Sequence, residues 1–194
     1  MMKWIGLGLL LLGCCAACKA PPAGNPHIVI ETGFGDIEAE LYPDKAPESV
    51  AAILRLVDSG VYKRCHFYRI LSEDNQPMGA DPSSLIQGGI WRSQPSLQLP
   101  TIPHESTAQT GLRHLNGSLS LARQDTGTAS SEFFICVGDQ PGFDFGGSNN
   151  PDGQGYAVFG RVTKGIEIVR KIYRQPETDQ LFDPPVPIIH IRRK

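Results

Sequence analysis

The sequence predicts a mainly β fold: a closed, eight-stranded antiparallel barrel capped by two α-helices. Three observations lead there. About eight short runs are rich in strand-forming residues, only two segments repeat apolar residues at helical spacing, and helices do not separate the strands one by one. Regular alternation would call for a parallel βαβ sheet, whereas consecutive antiparallel strands closed on themselves leave no free edge. With 194 residues, 40% hydrophobic and 20% charged, the chain is long enough to bury one full core.

Residues 1–18 differ in kind. A single Lys3 precedes an apolar run from Trp4 to Ala17. That run is short of the ~20 residues a membrane span needs, and it suits the hydrophobic region of a signal peptide. A short uncleaved anchor is the alternative. Small residues precede Cys14 in LLGC and Cys18 in CAAC, which resembles a bacterial lipoprotein signal. Cys18, or Cys14, would then carry the lipid; ordinary cleavage between Ala17 and Ala20 would leave none. The expected location is periplasmic, after export across the inner membrane, with a membrane reached only through that N-terminal anchor. Cys65 and Cys136 are left in the body, where both sit in apolar runs and are expected as buried free thiols, with a disulfide between them as the alternative in an exported protein.

Residues 19–26, KAPPAGNP, form a Pro/Gly-rich tether, and the globular body, 27–194, starts at His27. HIVIET and GDIEAELY read as a hairpin: Ile37, Ala39 and Leu41 alternate with polar neighbours, and Gly33 and Gly35 suit the turn. APESVAAILRLVDSG reads as a helix with Pro47 at its first position, Val50, Ile53, Leu54 and Val57 on one face, and Gly60 as terminator. CHFYRIL is a strand, followed by a polar insert, SEDNQPMGADPSS, and a further strand, LIQGGI. Residues 93–110, with three prolines, read as irregular. NGSLSLAR, EFFICVG and YAVFGRV are strands, KGIEIVRKIY is the second helix, and VPIIHIRR closes the chain as a strand.

Much familiar chemistry is missing. The five histidines have no metal-ligand spacing, no Gly-x-Ser-x-Gly elbow occurs, GFGDIE lacks the third glycine of a dinucleotide loop, and GRVTKG is no Walker loop. No metal and no cofactor is expected. A net charge of −2 offers no field for nucleic acid. One oddity stands out. Strand alternation in CHFYRI places Cys65, Phe67 and Arg69 on one face and His66, Tyr68 and Ile70 on the other, and neither face is clean.

FYRI, LIQGG, GSLSLAR, SSEFFICVGD and GYAVFGRV, in this order and spacing, resemble the cyclophilin family of peptidyl-prolyl isomerases over residues 27–191. The resemblance implies the cyclophilin barrel and proline-containing unfolded or exported polypeptides as clients of a monomer. It places the catalytic arginine at Arg69, the glutamine orienting it at Gln87, and groove residues at Leu85, Ala122, Phe134, Phe143 and Tyr156. The main chain of Arg123 would bond the substrate backbone, with its side chain in solvent, and Phe133 and Phe159 are assigned to the core. Four positions depart from the family pattern. Ser84 replaces an aromatic residue and would open one wall of the proline pocket; Gly142, or Phe143 in an alignment shifted by one, stands for a common tryptophan; Tyr156 stands for a frequent histidine; Glu132 stands for a glutamine. Glu132 is expected either to bind substrate and compete for Arg69 or to point to solvent at the rim. The implied function is prolyl isomerisation assisting the folding of exported proteins, with reduced activity. The alternative is a catalytically weak module that binds proline-containing segments as chaperone or scaffold.

Overall fold

The computed structural model describes residues 24–194. The residues expected as signal peptide, including Cys14 and Cys18, lie outside that range. Asn25 and Pro26, at the end of the expected tether, already bond to the second strand: Asn25 Nδ2 donates to Glu40, and the Pro26 carbonyl accepts from Leu41 N.

Apolar–polar alternation builds the first hairpin from His27–Thr32 (β1) and Gly35–Leu41 (β2), which bury Ile28, Ile30, Ile37, Ala39 and Leu41 in one core. Then come Cys65–Leu71 (β3), Leu85–Gly89 (β4), Ser118–Leu121 (β5), Phe133–Cys136 (β6), Ala157–Lys164 (β7), Glu177–Thr178 (β8) and Leu181–Arg193 (β9). The order around the sheet is β1-β2-β7-β5-β6-β4-β3-β9, every pair is antiparallel, and a β9–β1 ladder closes the ring. The barrel therefore has eight strands; β8 is a two-residue addition on β9.

Pro47–Asp58 (α1) packs on β7 and β9 and buries Val50, Ala52, Ile53 and Val57. Ile166–Tyr173 (α3) packs on β2 and β4 and buries Val169 and Ile172. The first turn of α1 has no cap of its own, because its N-cap residue is Ala46. Glu105 supplies one from a distant loop, accepting from Glu48 N at 3.1 Å, Ser49 N at 2.8 Å and the Ser49 hydroxyl at 2.6 Å. A carboxylate there satisfies orphan N–H groups and meets the positive end of the helix dipole.

The expectation of two helices needs correction. A third, Thr107–Thr110 (α2), lies in the stretch read as irregular. A reciprocal capping box of Ser106 and Gln109 starts it, and Gly111 ends it at φ +70°. One turn is too short to show a hydrophobic period, so only its caps were there to be read.

Candidate active site

The site lies on the outside of the barrel wall, and strand register assembles it. Arg69 on β3 pairs with Gln87 on β4, Gln87 with Phe134 on β6, and Phe134 with Ser120 on β5. These residues from four strands form one row. The row opens into a groove of about 1080 Å³, which Leu85, Ala122, Arg123, Glu132, Phe143 and Tyr156 also line. All nine residues expected at the site are therefore brought together there.

The mixed faces of CHFYRI follow from a bulge. Phe67 pairs with Gly88 and Arg69 with Gln87, so Tyr68 is an extra residue with no opposite number on β4. Cys65, Phe67 and Ile70 enter the barrel core, while Tyr68 and Arg69 both line the groove. Arg69 thus does not share a face with Phe67, as simple alternation expected. A bulge re-aims the side chains that follow it, and here it presents two adjacent polar residues to one surface.

The paired phenylalanines divide between the two sides of the wall. Phe133 enters the core, with rings of Phe67 and Tyr62 each 5.9 Å away in edge contacts, and Phe159 joins the same core. Phe134 belongs to a separate apolar cluster with Leu85, Cys136 and Phe143, against which Leu71, Ala122 and Tyr156 pack. Its ring meets those of Phe143 and Tyr156 edge-on, each at 5.4 Å. Behind it, His114 stacks at 5.9 Å and 11°. The Asp144 carboxylate can only accept, so His114 Nδ1 donates to it at 2.8 Å, and the neutral ring accepts from Ser120 Oγ at Nε2, 3.0 Å away. Burial lowers the His114 pKa against the opposing pull of Asp144, which keeps the ring neutral. Ser120 and His114 are 0% and 1% exposed, so this Ser-His-Asp set meets no substrate and serves to seat Phe134.

The other half of the groove is polar. Arg69 Nη1 donates to Gln87 Oε1 at 3.3 Å, and Nη2 donates to Gln180 Oε1 at 2.8 Å. Gln180 sits in the β8–β9 turn at φ +67°; its N–H donates to Glu177 and its amide group to the Asn75 carbonyl. Gln87 Nε2 donates to the Tyr68 hydroxyl at 2.8 Å, and that hydroxyl donates to Glu132 Oε2 at 2.7 Å. Glu132 Oε1 accepts from Ile90 N, Trp91 N and the Ser131 hydroxyl. Burial raises the Glu132 pKa, and these four donors act against it. Burial and then the Glu132 charge push the Tyr68 hydroxyl far up, so it stays a donor. A Cβ at Gly89, whose φ is +149°, would collide with the Glu132 carboxylate, so the second glycine of LIQGG makes its room.

Glu132 lines the groove, but it does not pair with Arg69 and does not point to solvent; Tyr68, Ser131 and two backbone N–H groups hold it at the groove wall. Arg123 also differs from expectation. Its side chain is 1% exposed; it donates to the Asp152 carboxylate at 2.8 and 2.9 Å and to the Gly155 carbonyl at 2.6 and 2.9 Å, with its guanidinium 5.2 Å from the Tyr156 ring centre. It pins the loop after Phe143 against the groove. Ser84 opens no wall: its hydroxyl accepts from Tyr173 of α3 at 3.1 Å, outside the groove lining. The insert builds that side instead. Gln76 ties its two ends through the Ser72 and Ser83 carbonyls, and Ser83 accepts from Asn149 at 2.7 Å.

A family model described as cyclophilin type peptidyl-prolyl cis-trans isomerase/CLD matches residues 27–193. The chain belongs to the cyclophilin family. It is 36% identical over 149 residues to peptidyl-prolyl cis-trans isomerase A of Dickeya dadantii (strain 3937), covering 76% of this chain and 71% of that one. It is 32% identical over 146 residues to peptidyl-prolyl cis-trans isomerase B of Escherichia coli (strain K12), covering 75% and 82%. A crystal structure of a Cryptosporidium parvum cyclophilin, in the presence of the dipeptide Ala-Pro, superposes with a TM-score of 0.70 at 22% identity, over 87% of this chain and 98% of that one; it shows the shared fold. Three cyclophilin-site residues escaped the reading of the sequence. Gln180 gave no signal, since a turn residue over a hundred positions from Arg69 carries no spacing to it. His114 had only its residue type. Tyr68 was visible beside Arg69, but its side depended on a bulge.

Proposed function

We propose that the groove binds a proline-containing segment and that Arg69 accelerates rotation about its X–Pro bond. The single observation that carries this reading is the position of Arg69. Its guanidinium is held by two amide oxygens, in register with Phe134 at the floor of an apolar cluster. The reaction makes and breaks no bond. Its barrier of ~18–20 kcal/mol comes from amide resonance, and uncatalysed exchange takes tens to hundreds of seconds. As the bond twists, the nitrogen regains a lone pair, which a guanidinium N–H binds; the planar ground state offers no such acceptor, so the contact favours the transition state. Arg69 uses one N–H of each terminal nitrogen on Gln87 and Gln180, which leaves further donors for substrate. A thousandfold acceleration needs ~4 kcal/mol of differential binding, within reach of a charge-assisted contact plus orientation.

The apolar cluster would hold the proline ring while the flanking chain turns. Among the described residues, nothing bonds to the main-chain N–H or carbonyl of Arg123, which leaves both for the substrate backbone. Two of the four departures do not favour a non-catalytic binder: Glu132 bonds to Tyr68 and not to Arg69, and Ser84 lies outside the groove lining. The proposed clients are unfolded proline-containing chains met after export. The apolar run of Trp4–Ala17 and the small residues before Cys14 and Cys18 support export and a lipid anchor. Mass spectrometry of the mature N-terminus tests that part: a lipid on Cys18 or Cys14 supports it, and an unprocessed Met1 contradicts it. Isomerisation of a short Xaa-Pro peptide tests the activity, and a rate equal to that in buffer overturns it.

A further inference from the structure

We propose that Glu132 and Tyr68 are positioning residues: a one-way hydrogen-bond chain from Glu132 sets the sense of the Gln87 amide and thereby holds Arg69. The proposal rests on the reading of Arg69 as the catalytic group.

The argument is one of donor and acceptor count. Arg69 can only donate, so Gln87 must turn its oxygen to it and its NH₂ away, and the NH₂ finds the Tyr68 oxygen at 2.8 Å. The Tyr68 hydroxyl must then send its single proton elsewhere, and Glu132 Oε2 takes it at 2.7 Å. An ionised carboxylate is the side chain that fits this end, because both of its oxygens must accept. Oε1 receives Ile90 N, Trp91 N and the Ser131 hydroxyl while Oε2 receives Tyr68. A glutamine there would have one oxygen for two opposed sets of donors. With that oxygen on the two backbone N–H groups, its NH₂ would face Tyr68. Tyr68 would then have to accept from residue 132 and donate to Gln87, and Gln87 would turn its NH₂ toward Arg69. The chain would run backward and push the guanidinium off its seat. Gln180 would hold one terminal nitrogen, and nothing would hold the other. Three features of the sequence combine here: the bulge that brings Tyr68 beside Arg69, the carboxylate at 132, and the Gly89 that makes room for it.

The test uses the full chain and an Ala-Pro peptide, with kcat and KM measured for Glu132→Gln, Tyr68→Phe and the double variant, each checked by its melting temperature. Tyr68→Phe keeps the ring against Trp91, 5.4 Å away, and removes only the hydroxyl, so it carries the test if Glu132→Gln fails to fold. Each single variant is expected to lose about tenfold in kcat with little change in KM, and the double variant about tenfold rather than a hundredfold, because one chain is cut in each case. Independent losses that multiply, or a loss confined to KM, would overturn the proposal. A second readout does not depend on turnover: solvent exchange of the Gln87 side-chain NH₂ by NMR. It is expected to be slow in the native protein and faster in both single variants. Unchanged exchange overturns the chain even if the protein proves inactive, whereas slow native exchange that rises in the variants, in a protein without turnover, supports the chain and faults only the reading of Arg69.

Discussion

Phe133 and Phe134 are neighbours on one strand, equally buried, yet they serve two different regions. Phe133 fills the barrel interior, where any well-packed apolar side chain of the right volume would do. Phe134 floors the groove on the outer face, where its ring is fixed by His114, Phe143 and Tyr156 and lies in register with Arg69. The interior is held by non-directional burial. The groove adds a wall of directional bonds, each depending on which group donates. Damage to the first should therefore appear as lost stability, and damage to the second as lost turnover in a folded protein.

The largest expected effect separates the two regions. Phe133→Ala should cost about 3–5 kcal/mol of folding stability. Phe134→Ala should lower kcat/KM by about 30-fold through lost contact with the proline ring, with the smaller stability loss of the two. Denaturant melts and isomerase kinetics on both variants check this; the reverse pattern would break the comparison. Next, Arg123→Ala should release the Asp152–Gly155 loop and raise KM about tenfold while kcat is kept, since it holds the groove edge and not the reacting bond.

Acid sharpens the same contrast. The folded pKa of His114 is lowered below its ordinary 6.5, chiefly by burial. Below pH 6.5 the unfolded chain therefore binds the proton more readily than the folded one, so stability is present above that pH and falls as pH drops toward the folded value. For Asp144, burial pushes the pKa up but the bonds from His114 outweigh it, so the net shift is downward from 3.8. Its contribution is present above pH 3.8 and is lost as pH falls through the folded value. Thermal melts across pH 7 to about 2 should show the decline, and His114→Gln should flatten its upper part, between pH 7 and 4. The smallest expected effect lies far from the groove. Glu105→Gln should cost about 1 kcal/mol, as a weakened cap on α1, and leave isomerase kinetics unchanged.

The two regions also differ in how far they can be read from sequence. Alternation in GDIEAELY and the helical spacing of Val50, Ile53 and Val57 report burial directly, so the barrel strands and both long helices were legible. The apolar floor was legible through the segments resembling the cyclophilin family. The polar wall was legible only at Arg69 and Gln87. Tyr68 needed a bulge that alternation cannot show, Gln180 needed the return of β9 beside β3, and the role of Glu132 needed the count of donors around it. Residue type alone pointed Arg123 to solvent, where the structure has it clamping a loop.

The central claim is that Arg69 supplies the bond that favours the twisted amide. It is tested most directly by comparing the native protein with Arg69→Ala for cis–trans exchange of one Xaa-Pro peptide. The expected result is native exchange well above buffer and a loss of at least about a hundredfold in kcat/KM for Arg69→Ala, with the melting temperature retained. Native-like turnover from a folded Arg69→Ala protein would contradict the account.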